Sequence, residues 1–204
     1  MRKIAFAATG LALVGVAPAQ AQENVQSVSI TMRDFARCVV RGDRDSAASL
    51  VASMPGSDAE QTLTKRLKKK YDDCLALPDT ARVSPMLMRG SVATQLYDQL
   101  YGFRSPAGIT PQGYGAKWLT GPNAPTGLVA APYAFAACIA SANPQAAHNL
   151  TLSGPGSVAE AAAMATLSTG FSACYPKGGT MRLNRIAIRA LTAEAMYHLA
   201  GAGR

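Results

Sequence analysis

Residues 32–101 align with residues 132–201 without a gap, and about 18 of the 70 pairs are identical. Self-similarity at a fixed offset marks a repeated structural unit, so any element assigned to one copy must also be allowed in the other. The identities include Phe35/Phe135, Ala36/Ala136, Leu50/Leu150, Pro55-Gly56-Ser57/Pro155-Gly156-Ser157, Ala59-Glu60/Ala159-Glu160, Leu67/Leu167, Thr80/Thr180, Arg82/Arg182, Arg89/Arg189, Ala93/Ala193 and Tyr97/Tyr197. All four cysteines fall in register, Cys38 with Cys138 and Cys74 with Cys174. The pattern predicts a tandem duplication of a module of about 70 residues.

Each copy reads as four helices. The first, about 32–41, carries Met32, Phe35, Ala36 and Val39 at the spacing of one helical face, and Pro132 suits the first turn of its counterpart. Gly42-Asp43 and Asn143-Pro144 separate it from a short second helix ending near Ser53. The third opens with Ser57-x-x-Glu60 and Ser157-x-x-Glu160, the spacing of a capping box. Its apolar stripe is Ala59, Leu63, Leu67, Tyr71 and Cys74. The fourth starts at Ser84-Pro85 or Asn184-Arg185, presents Met86, Gly90, Ala93, Tyr97 and Leu100 on one face, and ends at Gly102 or Gly201. Val and Ile are sparse and no alternating run persists, so no strand is expected. The predicted fold class is all-α: two four-helix, disulfide-stapled modules, about eight helices in total, joined by a Gly/Pro-rich connection.

The expected organisation is a secretory signal peptide over 1–21, a first helical module over 22–101, the connection over 102–131, and a second module over 132–204. Arg2 and Lys3 precede an apolar run from Ile4 to Val16, followed by Ala17-Pro18-Ala19-Gln20-Ala21. That is the charge, length and small-residue pattern of a signal peptide cleaved near Ala21. The run is too short to span ~30 Å of hydrocarbon. The expected location is periplasmic or secreted, with no membrane span in the mature chain. The connection holds six glycines and four prolines. It also contains Tyr114 and Trp118, whose bulk favours packing onto the helices over a free tether.

In an exported chain, an even set of cysteines reads as disulfides. Four cysteines allow three pairings, and the repeat favours Cys38 with Cys74 and Cys138 with Cys174. No Cys-x-x-Cys is present, and no His-Cys set recurs, because His148 and His198 stand opposite Ala48 and Asp98. Neither redox chemistry nor a metal site is expected.

Arg89 and Arg189 lie one turn before Ala93 and Ala193, on the face that should be buried, where a guanidinium needs a carboxylate or several carbonyls. Glu60 and Glu160 are the only acids shared by the two copies. Ser57, Glu60, Arg89, Ser157, Glu160 and Arg189 are therefore the candidates for structural capping or ion pairing, with an anion-binding arginine as the sharper alternative. Arg82 and Arg182 are placed to meet carbonyls at the end of the third helix. The basic run Lys65-Arg66-Leu67-Lys68-Lys69-Lys70 reads as a solvated helix face with Asp72-Asp73 beside it, and because Ala165–Gly170 opposite it carries no charge, no function shared by the two copies rests on it.

There is no Gly-x-Ser-x-Gly, His-Glu-x-x-His, phosphate loop or Rossmann pattern. The second copy has only two acids, Glu160 and Glu194. Ser172 and His198 read as isolated side chains. No catalytic residue, cofactor or metal is assigned, and the ligand-binding residues and oligomeric state are not specified. The formal charge of +8 falls to about +6 once Arg2 and Lys3 are removed, which is too modest to indicate nucleic acid as a partner. The function expected is non-catalytic, either binding or a structural role in the envelope. The alternatives are an inhibitor, immunity or chaperone-like protein with a periplasmic protein partner, and a small hydrolase sited in the first copy or the connection.

Overall fold

A computed structural model describes residues 19–75, 84–103, 127–176 and 181–201. Residues 1–18, Arg82, and positions 104–126 with Tyr114 and Trp118 lie outside the described residues, as does Thr80/Thr180. Among the described residues the chain is all-helical, with nine α-helices and no strand. They are α1 (Ala19–Gly42), α2 (Arg44–Ala52), α3 (Asp58–Lys70), α4 (Pro85–Tyr101), α5 (Gly127–Ala142), α6 (Pro144–Leu152), α7 (Val158–Ser168), α8 (Phe171–Cys174) and α9 (Arg185–Gly201). A 3₁₀ turn at Asp72–Cys74 follows α3.

Local sequence explains most boundaries. The Asp43 and Asn143 side chains accept from the backbone N–H of Ser46 and Ala146, capping α2 and α6. Ser57 and Ser157 accept from Glu60 N–H and Glu160 N–H. The two glutamates reach back to Gly56 N–H and Gly156 N–H, one residue before the usual capping-box donor. Both glycines have positive φ, 82° and 75°, at the third position of a Pro-Gly turn that only glycine adopts without strain.

Four boundaries and faces depart from the sequence reading. Helix α1 begins at Ala19, well before residue 32, because neither glycine nor proline interrupts the chain between there and Gly42. Helix α5 begins at Gly127, inside the expected connection, and runs through Pro132. Pro132 is therefore the sixth residue of the helix, inside it and past the first turn expected for it, where it removes one intrahelical hydrogen bond. The third helix stops at Lys70 and Ser168, and Cys74 and Cys174 sit on separate short turns. Its buried side is Glu60, Thr64 and Leu67, with Ala59 turned to solvent, since the capping glutamate is drawn inward.

The disulfides join Cys38 to Cys74 and Cys138 to Cys174, tying α1 to the turn after α3 and α5 to α8. Two disulfides are compatible with an oxidising compartment. No described helix is long and apolar enough to cross a membrane.

Two apolar clusters meet along a seam formed by α4 and α9. One gathers Met32, Phe35, Val39, Leu50, Leu67 and Val92. The other gathers Ala136, Ala140, Leu150, Leu167, Leu191 and Met196. Tyr97 and Tyr101 of α4 belong to the second cluster, and Tyr197 of α9 packs against the first. Each long helix therefore serves both sides, and α4 is buried on most of its circumference from Met88 to Tyr97, with Met86 and Leu100 only half-buried. At the crossing, a Cβ added to Gly90 would collide with the Ala190 backbone and side chain. Glycine is required there so that the two helices can approach at positions one hundred apart.

Candidate functional site

Beside this crossing lie two buried arginine sites with the same scaffold and different surroundings. Arg89 of α4 donates to the carbonyls at the end of α2: Leu50 O at 2.9 Å, Val51 O at 3.0 Å and Ser53 O at 2.9 Å. Arg189 of α9 does the same at the end of α6, to Leu150 O at 3.0 Å, Thr151 O at 3.4 Å and Ser153 O. The last carbonyls of a helix have no intrahelical donor, and a planar guanidinium can meet several of them together. Each arginine also pairs with the capping glutamate of its own half, Arg89 with Glu60 at 3.5 Å and Arg189 with Glu160 at 3.3 Å.

The sites then diverge. At Arg89 a second carboxylate, Glu194, crosses the seam from α9 and takes both Nη2–H and Nε–H, the latter at 3.3 Å. Arg89 and Glu194 are fully buried. Burial pushes the Glu194 carboxyl up while the guanidinium opposes it, and the two carboxylates hold Arg89 above the ordinary arginine value despite its burial. Tyr133 of α5, also buried, packs against this charge cluster, and burial drives its hydroxyl strongly upward.

At Arg189 the position corresponding to Glu194 is Thr94, whose hydroxyl donates to Gly90 O at 2.9 Å. Arg33 stands where Tyr133 stands on the other side, and Ser91 where Leu191 stands. The Arg33 guanidinium lies near the Gly154-Pro155 turn, 3.6 Å from where a Gly154 Cβ would be. Among the described residues it has no carboxylate within ion-pair distance. Glu160 is shared with a third cation, Arg185, at 3.0 Å. Burial pushes Arg189 below the ordinary arginine value, and Arg33 and Arg185 push the same way. A cavity of about 30 Å³, room for roughly two waters, opens here between α1, α4 and α9. Its lining includes Ser29, Arg33, Ser91, Thr94, Pro155 and Arg189.

Of the residues singled out in the sequence, Ser57, Glu60, Arg89, Ser157, Glu160 and Arg189 are thus gathered around the ends of α2 and α6. Arg182 is exposed ahead of α9, and Ser172 is exposed on α8. Sequence reasoning passed over Glu194, Tyr133, Arg33 and Thr94. Only Glu194 left a signal, an acid inside the otherwise uncharged run Leu191–Met196.

The two histidines have neighbours of their own. Nδ1 of His148 lies 2.8 Å from the Tyr97 hydroxyl, and burial lowers the imidazole and raises the phenol to about 12. Nε2 of His198 donates to Val51 O at 3.2 Å and lies 3.9 Å from Glu194, with burial and Arg89 holding the ring down at about 4. The ordinary histidine value of 6.5 applies once the chain unfolds. Protonation below that value therefore favours the unfolded chain, so stability is full above pH 6.5 and is lost as pH falls toward 4. The steepest loss is about 1.4 kcal/mol per pH unit. Unfolding free energies from urea titrations between pH 7 and 4.5 are expected to fall, at most with this slope, and more shallowly for His198→Gln; parallel profiles would remove His198 as the cause.

No family model, curated protein or solved structure matches the chain.

Proposed function

We propose that the chain is an exported, duplicated helical module that works by binding, and that its ligand enters the cleft between α1, α4 and α9. The observation that carries this reading is the contrast between two arginine sites with the same carbonyl anchors. On the Arg89 side, Leu191, Glu194 and Tyr133 are buried around the guanidinium. On the Arg189 side, the smaller Ser91 and Thr94 and the half-buried Arg33 line a cavity. A duplicated scaffold needs only one of its two seams open to hold a ligand. The other then sets the spacing of the helices. The 1–21 leader pattern and the two disulfides support export and the division into modules over 22–101 and 132–204.

The test uses the mature protein isolated from the periplasm of its source and weighed under native conditions, beside Ser91→Leu, which fills the cleft with the side chain found at the opposite site. The expected result is cleavage near Ala21 and a bound species that the wild type retains and Ser91→Leu loses. A chain found only uncleaved in the cytoplasm, or identical masses for both proteins, would overturn the reading. A stoichiometric protein held equally by both would favour the inhibitor or chaperone-like alternative instead.

A further inference from the structure

The Arg89 site shows what the Arg189 site is shaped to hold. Around Arg89 the Nε–H and one Nη–H converge on the two oxygens of one carboxylate, Glu194, delivered from the facing helix. Around Arg189, Nη1 and Nη2 are taken by carbonyls, Ser153 and Glu160, whereas Nε–H makes no hydrogen bond among the described residues. Thr94 is too short to supply the missing group, and the space it leaves is part of the cavity. Arg185 and Arg189 share the Glu160 carboxylate, and Arg33 lies close enough to repel the Arg189 charge, so among the described residues the positive charge there is undercompensated. On the other side, one guanidinium faces two carboxylates.

Resting on the reading of this cleft as the ligand site, we propose that it binds the carboxylate of a small organic acid, seated where Glu194 sits in the other half and held by Arg189 Nε–H and Arg33. Arg189 has only its Nε–H left to give, so it meets one oxygen of the ligand. The fork of Arg33, which makes no ion pair among the described residues, can then take the planar two-oxygen head, which favours a carboxylate over a compact point anion. Ser91 adds a hydroxyl to the lining. The carboxylate could belong to a free acid or to the C-terminus of a short peptide. Both present the same head to the cavity, and the remainder of the ligand lies toward its open side.

Two variants test this. Thr94→Glu places the carboxylate of the opposite site into the cleft, and Arg33→Gln removes a cation that has no ion-pair partner among the described residues. Titration calorimetry at constant ionic strength, with acetate, succinate, inorganic phosphate and chloride, should show carboxylate binding to the wild type beyond any chloride effect. Thr94→Glu should bind neither acid and should melt higher than the unliganded wild type. Arg33→Gln should bind about tenfold more weakly, the effect of losing one charge-assisted contact. Tetra-alanine with a free or an amidated C-terminus separates the two sources: binding of the free form alone, at least as tight as acetate, marks a peptide end, and binding of acetate alone marks a small acid. The proposal is overturned if acetate behaves as chloride does, if phosphate is preferred to both acids, or if both variants bind acetate as the wild type does. A neutral species displaced by Ser91→Leu, with no carboxylate effect, would overturn this assignment and leave the binding reading standing.

Discussion

Arg89→Met is expected to lower the unfolding free energy by about 3–5 kcal/mol, the usual cost of stripping one partner from a buried ion pair. The substitution leaves Glu194 and Glu60 as two buried carboxylates with no guanidinium between them. It also removes the donor shared by the Leu50, Val51 and Ser53 carbonyls. Arg189→Met should cost less, by at least about 1 kcal/mol, because Glu160 keeps Arg185 and the site already meets solvent. The double variant Arg89→Met/Glu194→Met should recover part of the loss, since it removes the stranded Glu194 carboxylate but leaves Glu60 and the three carbonyls without the guanidinium. Denaturant titrations of the four proteins decide the matter. Equal losses for the two arginines, or no recovery in the double variant, would mean that the Arg89 cluster is held by something other than the charge pairing across the seam.

Removing a disulfide is the second large expected effect. Each bridge closes a sequence separation of 36 residues. The chain-entropy estimate for such a loop is up to about 3.8 kcal/mol. For a chain of this size, that corresponds to a fall in melting temperature of about 8–15 °C per bridge. Cys38→Ser/Cys74→Ser and Cys138→Ser/Cys174→Ser should each show it, and reductant should lower the wild-type midpoint further than either. Helical circular dichroism at low temperature should persist in all of them, because the buried cores of the two clusters and the α4–α9 seam are built from other residues, with Cys74 packing only against the first cluster. Melts with and without reductant that share one midpoint would show that the bridges contribute nothing to stability.

Much of the helical framework was legible from the chain because the information is local. The capping serines, the Pro-Gly turns and the Asp43 and Asn143 caps act within four residues of where they stand, so spacing alone places them. Where a boundary depended on longer-range packing, the reading slipped. The inward turn of Glu60, which leaves Ala59 in solvent, follows from an arginine 29 residues away, and the pattern of apolar residues carries no trace of it. The start of α5 before Pro132 puts proline inside the helix, against its local preference for the first turn, so its position did not mark the boundary.

By itself the sequence determined the all-helical class, the offset of one hundred, the symmetric cysteines and the two arginines in need of partners. These rest on periodicity, capping chemistry and the cost of burying an unpaired charge. Only the tertiary structure decided how the halves meet: Gly90 against Ala190, Tyr97 set into the far cluster, and Glu194 reaching Arg89 across 105 positions of chain. It alone also set Thr94 and Arg33 at a cavity where the opposite side has Glu194 and Tyr133. The physical reason is that a pairwise contact between distant segments depends on the crossing of two helices, and that crossing is settled by shape complementarity summed over the whole seam.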